Sequence, residues 1–332
     1  MDHQFPEAAR AAACQAIFSR RAVRAAAMAI CRLKIRLFWA LTATVALLPA
    51  AHAELVFKDE TGHEIRLKAP ARRIITLAPH ATELLYAAGA GDRLVGTVEY
   101  SDWPPAAKQI QRIGSYDRFD LEAISALKPD LVIAWESGNP AAQVAKLKSL
   151  GLTVYTTQPN RMADIAGQLE RYGQLAGSAA TADAAAAQFR QRLERLRQTY
   201  AGKPPVRVFY QIWINPLMTV GGPQIISDAI RLCGGENVFG HLTQMAPAVS
   251  VEAVLAADPE AIVATGMGDA RPEWLDDWNK WTRLTAVRRG NLFHINPDIM
   301  QRHTPRILDG AEQLCADLDI ARSRRPPGAS RK

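Results

Sequence analysis

Between residues 178 and 201, apolar side chains recur at three- and four-residue steps: Ala182, Ala185, Ala186, Phe189, Leu193, Leu196 and Tyr200. That spacing is the buried stripe of one α-helix. Ser178 or Thr181 is placed to cap its start. Asp183 suits the positive N-terminal end of the helix dipole, and Arg192, Arg195 and Arg197 suit the opposite end. Gly202, Pro204 and Pro205 stop it. At ~1.5 Å per residue the helix is roughly 33 Å long, enough to span a small domain.

The chain before this helix resembles the chain after it. At a constant offset of 130, DLEAISALKPDLVIA (120–134) and SVEAVLAADPEAIVA (250–264) share Glu122/Glu252, Ala123/Ala253, Ala126/Ala256, Pro129/Pro259 and Ala134/Ala264. Both read as a capped helix, a proline stop and a buried strand. Each half opens on an apolar strand, from Arg73 and from Val206, and closes on another, at 153–155 and 291–294. A small hairpin is predicted ahead of the first half, with strands at 55–59 and 63–67 around Thr61-Gly62. The first helix is predicted over Thr82–Ala88, and Asn139 is predicted to cap a helix with Pro140 at its first position. Strands alternating with helices imply an α/β fold of two similar lobes, each a mostly parallel sheet flanked by helices. The division is a targeting segment at 1–53, an N-terminal lobe at 54–177, the linking helix at 178–201, a C-terminal lobe at 202–321 and a disordered basic tail at 322–332.

Charge changes the picture only once it is located. The 332 residues carry a formal +7. Seven Lys/Arg and two acids lie in 1–53, and five Lys/Arg with no acid in 322–332, which leaves 28 basic against 31 acidic groups between. The basicity sits at the ends, so no nucleic-acid surface is implied. Arg32, Lys34 and Arg36, the apolar run Leu37 to Ala50, and Ala51-His52-Ala53 form a secretory signal cleaved before Glu54, with Met28 as a second candidate start. Export places the mature chain in an oxidising compartment with two cysteines, Cys233 and Cys315, which either pair or stay as buried thiols.

No catalytic constellation appears: there is no nucleophile elbow, phosphate-cradling loop or HExxH. The mature histidines lack metal-ligand spacing, and a site between lobes from His80, His241 and His303 is the one arrangement left open. Ligands of open α/β sheets sit outside the carboxyl ends of the strands. His80, Tyr100, Tyr116 and Trp135 fall there in the first lobe; Trp213, Asn215, Met218, Asp298, Arg302 and His303 fall there in the second. An exported enzyme on the same scaffold is the competing class, and it would need titratable side chains converging where these aromatics lie.

The stretches PHATELLYAAG (79–89), EYSDWPP (99–105), DLEAISALKPDLVIAWESGNP (120–140), INPLMTVGG (214–222), RLCGGENVFG (231–240) and TPRILDGAEQLC (304–315) resemble the periplasmic substrate-binding proteins of ABC importers whose lobes are joined by a rigid helix, and among them the cobalamin-binding members. The resemblance extends over nearly all of 73–320. It implies a binding protein rather than an enzyme, a corrinoid held between the lobes as transported ligand rather than cofactor, and a monomer that docks on the permease dimer of the inner membrane. Haem or a ferric siderophore is the alternative ligand within the class. Tyr100 and Trp135 match aromatic positions of the cleft. Tyr116 stands for a tryptophan, Met218 for a phenylalanine, and Ala246 for a cleft tryptophan whose space Trp213 is placed to fill. Asp298 and Arg302 match polar contacts to the macrocycle's edge, with His80 as a further ligand candidate. Cys233 and Cys315 match the family's disulfide, and Glu122 and Glu252 match its permease-docking carboxylates.

Overall fold

The computed structural model describes residues 54–266, 268 and 270–326; the signal segment read at 1–53 lies outside them. Eleven strands carry the described fold: β1 Leu55–Lys58, β2 Glu64–Leu67, β3 Ile74–Thr76, β4 Leu94–Thr97, β5 Leu131–Trp135, β6 Val154–Thr157, β7 Val206–Trp213, β8 Met218–Thr219, β9 Gly235–Asn237, β10 Ala261–Ala264 and β11 Leu292–His294. The first two form the antiparallel hairpin that the sequence predicts. In the first lobe the order is β4-β3-β5-β6, all parallel. In the second, β7 pairs in parallel with β10, which pairs in parallel with β11, while β9 (parallel) and β8 (antiparallel) also pair with β7. The two repeated strands, β5 and β10, therefore hold the same place: each lies between the opening and the closing strand of its lobe.

Helices lie between and against these strands: α1 Pro79–Ala87, α2 Leu121–Ala126, α3 Ala141–Ser149, α4 Asp164–Ala176, α5 Ala179–Tyr200, α6 Ile225–Leu232, α7 Val251–Ala257, α8 Thr285–Arg288, α9 Pro297–Met300 and α10 Ile307–Ser323. Helix α1 starts earlier than predicted because Pro79, with its fixed φ, fits a first turn. Successive strand residues face opposite sides of each sheet. Ile74, Leu131 and Ile133 enter one core together with Val208, Tyr210 and Val263. Ile75, Val132 and Ala134 enter a second core, and Phe209, Ile262 and Ala264 a third.

The first of these cores runs through both lobes, and the long helix runs through it. Ala182, Ala186, Phe189, Leu193 and Leu196 are buried there, as the stripe predicted. Helix α5 packs on α4 closely enough that a Cβ at Gly173 would lie 2.3 Å from the Ala182 Cβ, so only glycine admits this approach. Neither predicted side-chain cap forms; the Ser178 hydroxyl instead donates to the Ala88 carbonyl at 2.7 Å. Arg192 of α5 binds Asp309 and Glu312 of α10 at 2.6 and 2.7 Å. The helix is thus a shared core element, and it fastens the lobes more firmly than a tether would.

Cys233, just past α6, is bonded to Cys315 of α10, with both fully buried. The basic tail predicted from Arg322 is ordered over its first residues. Helix α10 continues to Ser323, and Arg322 donates to the carbonyls of Pro204, Cys233 and Gly234, while Arg325 binds Glu260. These guanidiniums satisfy carbonyls and a carboxylate of the second lobe, which orders 322–326; the predicted tail beyond lies outside the described residues. No helix among the described residues is long and apolar enough to cross a membrane.

Candidate functional site

Because β3, β4 and β5 are parallel, their carboxyl ends share one edge, and the loops that follow carry the candidate side chains. Tyr100 is 65% exposed and holds φ at +62°, a left-handed conformation rare for a residue with a side chain. Such strain persists where the surroundings enforce it, often at binding sites. Tyr116 is 42% exposed.

Asn139 was predicted as a helix cap and does something else. Buried at this edge, it accepts the Trp135 backbone N–H at 2.6 Å and donates to the carbonyls of Leu77 and Tyr116 at 2.8 and 2.7 Å. One amide therefore locks together the loop after β3, the end of β5 and the Tyr116 loop. Pro140 becomes the residue before α3, which has no side-chain cap. Gly138 lies directly against the Trp135 ring: a Cβ there would come within 1.9 Å of it.

The Trp135 ring meets His80 edge-on at 5.2 Å, His303 edge-on at 5.9 Å and Tyr116 at 6.4 Å, and the two imidazoles are 5.3 Å apart. His80 comes from the first lobe and His303 from the segment after β11 in the second. His80, read from its position as ligand-facing, is buried instead, within the first turn of α1. It backs Trp135 and does not line the open edge. Burial, with His303 and Arg302 adding to it, keeps His80 well below the ordinary histidine range; burial alone takes His303 down to about 4. Both rings are therefore neutral, and His80 Nε2 and His303 Nδ1 have no hydrogen-bond partner among the described residues.

Two ion pairs cross the same junction. Arg302 binds Asp102, two residues past Tyr100, at 2.7 Å, and Asp298 at 2.9 Å. Burial acts to raise the Asp102 carboxyl, but the Arg302 guanidinium outweighs it and holds the group below its usual value. Arg306 binds both oxygens of buried Glu83 and lies 4.4 Å over the Trp103 ring. In the second lobe, Trp213 ends β7 opposite Met218, is 43% exposed, and donates its indole N–H to the Asn215 carbonyl. Ala246 is exposed in the loop leading to Ala248, which bridges to Met218. The three-histidine arrangement is not formed: His241 packs near Phe239, and no group of three metal-ligating side chains occurs among the described residues.

A family model described as periplasmic binding protein matches residues 74–299. The chain belongs to the periplasmic binding protein family. It is 42% identical over 253 residues to the vitamin B12-binding protein of Vibrio cholerae serotype O1, covering 76% of this chain and 91% of that protein. The vitamin B12-binding protein of Yersinia pestis is 37% identical over 248 residues, 75% of this chain and 86% of that one. The crystal structure of the periplasmic vitamin B12-binding protein of Vibrio cholerae superposes with a TM-score of 0.71 at 40% identity, covering 76% and 98% of the two chains. A periplasmic heme-binding protein from Pseudomonas aeruginosa superposes with a TM-score of 0.67 at 27% identity, covering 77% and 95%.

For this family member, sequence reasoning missed Glu83, Asp102, Trp103, Asn139 and Arg306 as parts of the site. Asp102 and Trp103 lie inside the stretch EYSDWPP, but their partners are some two hundred residues away and no local spacing announces them. The docking candidates sit where the repeat places them. Glu122 and Glu252 occupy the first turns of α2 and α7, under the caps Asp120 and Ser250. Both are exposed, and neither forms an ion pair with any described residue.

Proposed function

We propose that the chain is the ligand-capturing component of an ABC importer, working in the periplasm after removal of residues 1–53, and that it holds cobalamin or a related corrinoid between its lobes. The observation that carries this reading is the set of exposed aromatics Tyr100, Tyr116 and Trp213 at the carboxyl ends of both sheets, in a chain 42% identical to a vitamin B12-binding protein. A corrin is a broad, mostly apolar ring edged with amides, and stacking aromatics with a few polar groups suit it. Asp298 and Arg302 supply the polar groups and Met218 a flexible apolar wall. Bound in this way the corrinoid is cargo, and the lobes themselves perform no chemistry on it.

Haem, or a ferric siderophore, is the competing ligand of the class. Haem requires an axial ligand, and of the two candidates His80 is buried and Tyr116 is exposed. Glu122 and Glu252, one per lobe, are the carboxylates offered to the permease dimer, and the free protein acts as a monomer.

One titration tests the ligand. The mature protein is mixed with cyanocobalamin, haemin and a ferric siderophore while tryptophan fluorescence and heat are followed. Quenching by cyanocobalamin at one equivalent is expected, and Trp135→Ala weakens it by roughly 1–3 kcal/mol. Haemin binding with a shifted Soret band, and no response to cyanocobalamin, overturns the reading.

A further inference from the structure

Both guanidiniums at the lobe junction are already answered by carboxylates. Arg306 is held by both oxygens of Glu83. Arg302 is gripped from two sides, by Asp102 of the first lobe and Asp298 of the second. One cation between two carboxylates leaves a net negative charge at the edge where a ligand's rim would lie. In the neighbouring loops Glu99 and Glu136 are exposed just beyond β4 and β5, Arg118 offsets the adjacent Asp117, and Lys108 is a further cation that acts on Asp102. Arg112, behind the Tyr100 loop, donates to the carbonyls of Ser101, Ala107 and Ile110. The floor beneath adds no positive charge, because burial keeps His80 and His303 neutral.

We infer that Asp102 and Asp298, by occupying Arg302 from both lobes, make the cleft a charge filter that rejects macrocycles edged with free carboxylates and admits one edged with amides. The inference rests on the corrinoid reading above and refines it. Arginine pairs with a carboxylate through two parallel hydrogen bonds, so an unoccupied Arg302 would be a ready receptor for a propionate. Here a carboxylate-bearing ligand must displace a protein carboxylate and lie beside the other. Like-charge juxtaposition of this kind is how binding sites suppress wrong partners. A carboxamide carries no charge and can donate its N–H to Asp102 or Asp298 while they remain on Arg302.

The test uses two ligands with the same ring: cyanocobalamin, and the cobalt corrin whose edge groups are free carboxylates, cobyrinic acid. Affinities are measured by fluorescence and calorimetry for the wild-type mature chain, Asp102→Asn, Asp298→Asn and the double variant, at low and high salt. The wild type is expected to prefer cyanocobalamin by 100-fold or more. The double variant should narrow that preference by 10-fold or more, through tighter binding of the carboxylate corrin, and the gain should shrink in high salt. Circular dichroism and the thermal midpoint report that each variant is folded. If the wild type fails to bind cyanocobalamin, the corrinoid reading falls and the filter with it. If cyanocobalamin binds but the preference is the same in wild type and double variant, the filter alone is overturned.

Discussion

Arg306 and Glu83 form a bidentate pair across the lobes, with Nε–Oε1 at 2.7 Å and Nη2–Oε2 at 2.8 Å, joining the residue before α10 to the middle of α1. The Glu83 side chain is 4% exposed, so Arg306 stands in for solvent around its carboxylate. Removing one member of a buried pair strands the other, and Arg306→Ala should destabilise the protein by about 3–5 kcal/mol. The pair Glu83→Gln/Arg306→Met should lose much less. Urea midpoints of the single and double variants check this, and equal losses in all of them would refute the dependence.

Gly138 gives a prediction about the cleft. With a Cβ placed 1.9 Å from the indole, Gly138→Ala must push Trp135 out of its position. The expected result is weaker ligand binding by 10-fold or more, with changed tryptophan fluorescence in the free protein. Unaltered affinity would mean that Trp135 is not a contact.

The buried histidines predict a slope of stability with pH. An unfolded chain protonates histidine near pH 6.5, whereas the native fold keeps His80 well below that range and His303 down to about 4. Between those values the unfolded state binds more protons. The stability these residues allow is therefore complete above about pH 6.5 and falls as pH drops toward 4, by about 3 kcal/mol for His303. Asp317, pushed up to about 7 by burial, acts in the opposite sense over the same interval. The measurement is thus a difference: denaturation of wild type against His80→Asn/His303→Asn from pH 4.5 to 8. Parallel curves would show that the imidazoles do not titrate in this way.

Glu122 and Glu252 predict a phenotype separable from ligand binding. Neither lies at the strand ends that carry the aromatics, so Glu122→Ala/Glu252→Ala should leave ligand affinity unchanged. Docking on the reconstituted permease should weaken, and its remaining salt dependence should be shallower. Transport at the wild-type rate would reduce both residues to first-turn acids, worth a few tenths to about 1 kcal/mol in helix stability.

What the sequence determined by itself was the local order. The stripe from Ala182 to Leu196, the repeat around Glu122 and Glu252, and the unbroken apolar runs of β5 and β10 are local patterns, written in consecutive residues. The strand-end aromatics followed, because parallel strands put their carboxyl ends on one edge. Tertiary structure decided the rest. Asn139 resembles a cap until the Leu77 and Tyr116 carbonyls are brought to it. His80 resembles a ligand contact until α1 buries it against Trp135 and His303. Arg325 resembles a disordered tail until Glu260 receives it. A hydrogen bond or ion pair depends on distance and burial, and residues two hundred positions apart acquire both only when the chain has folded.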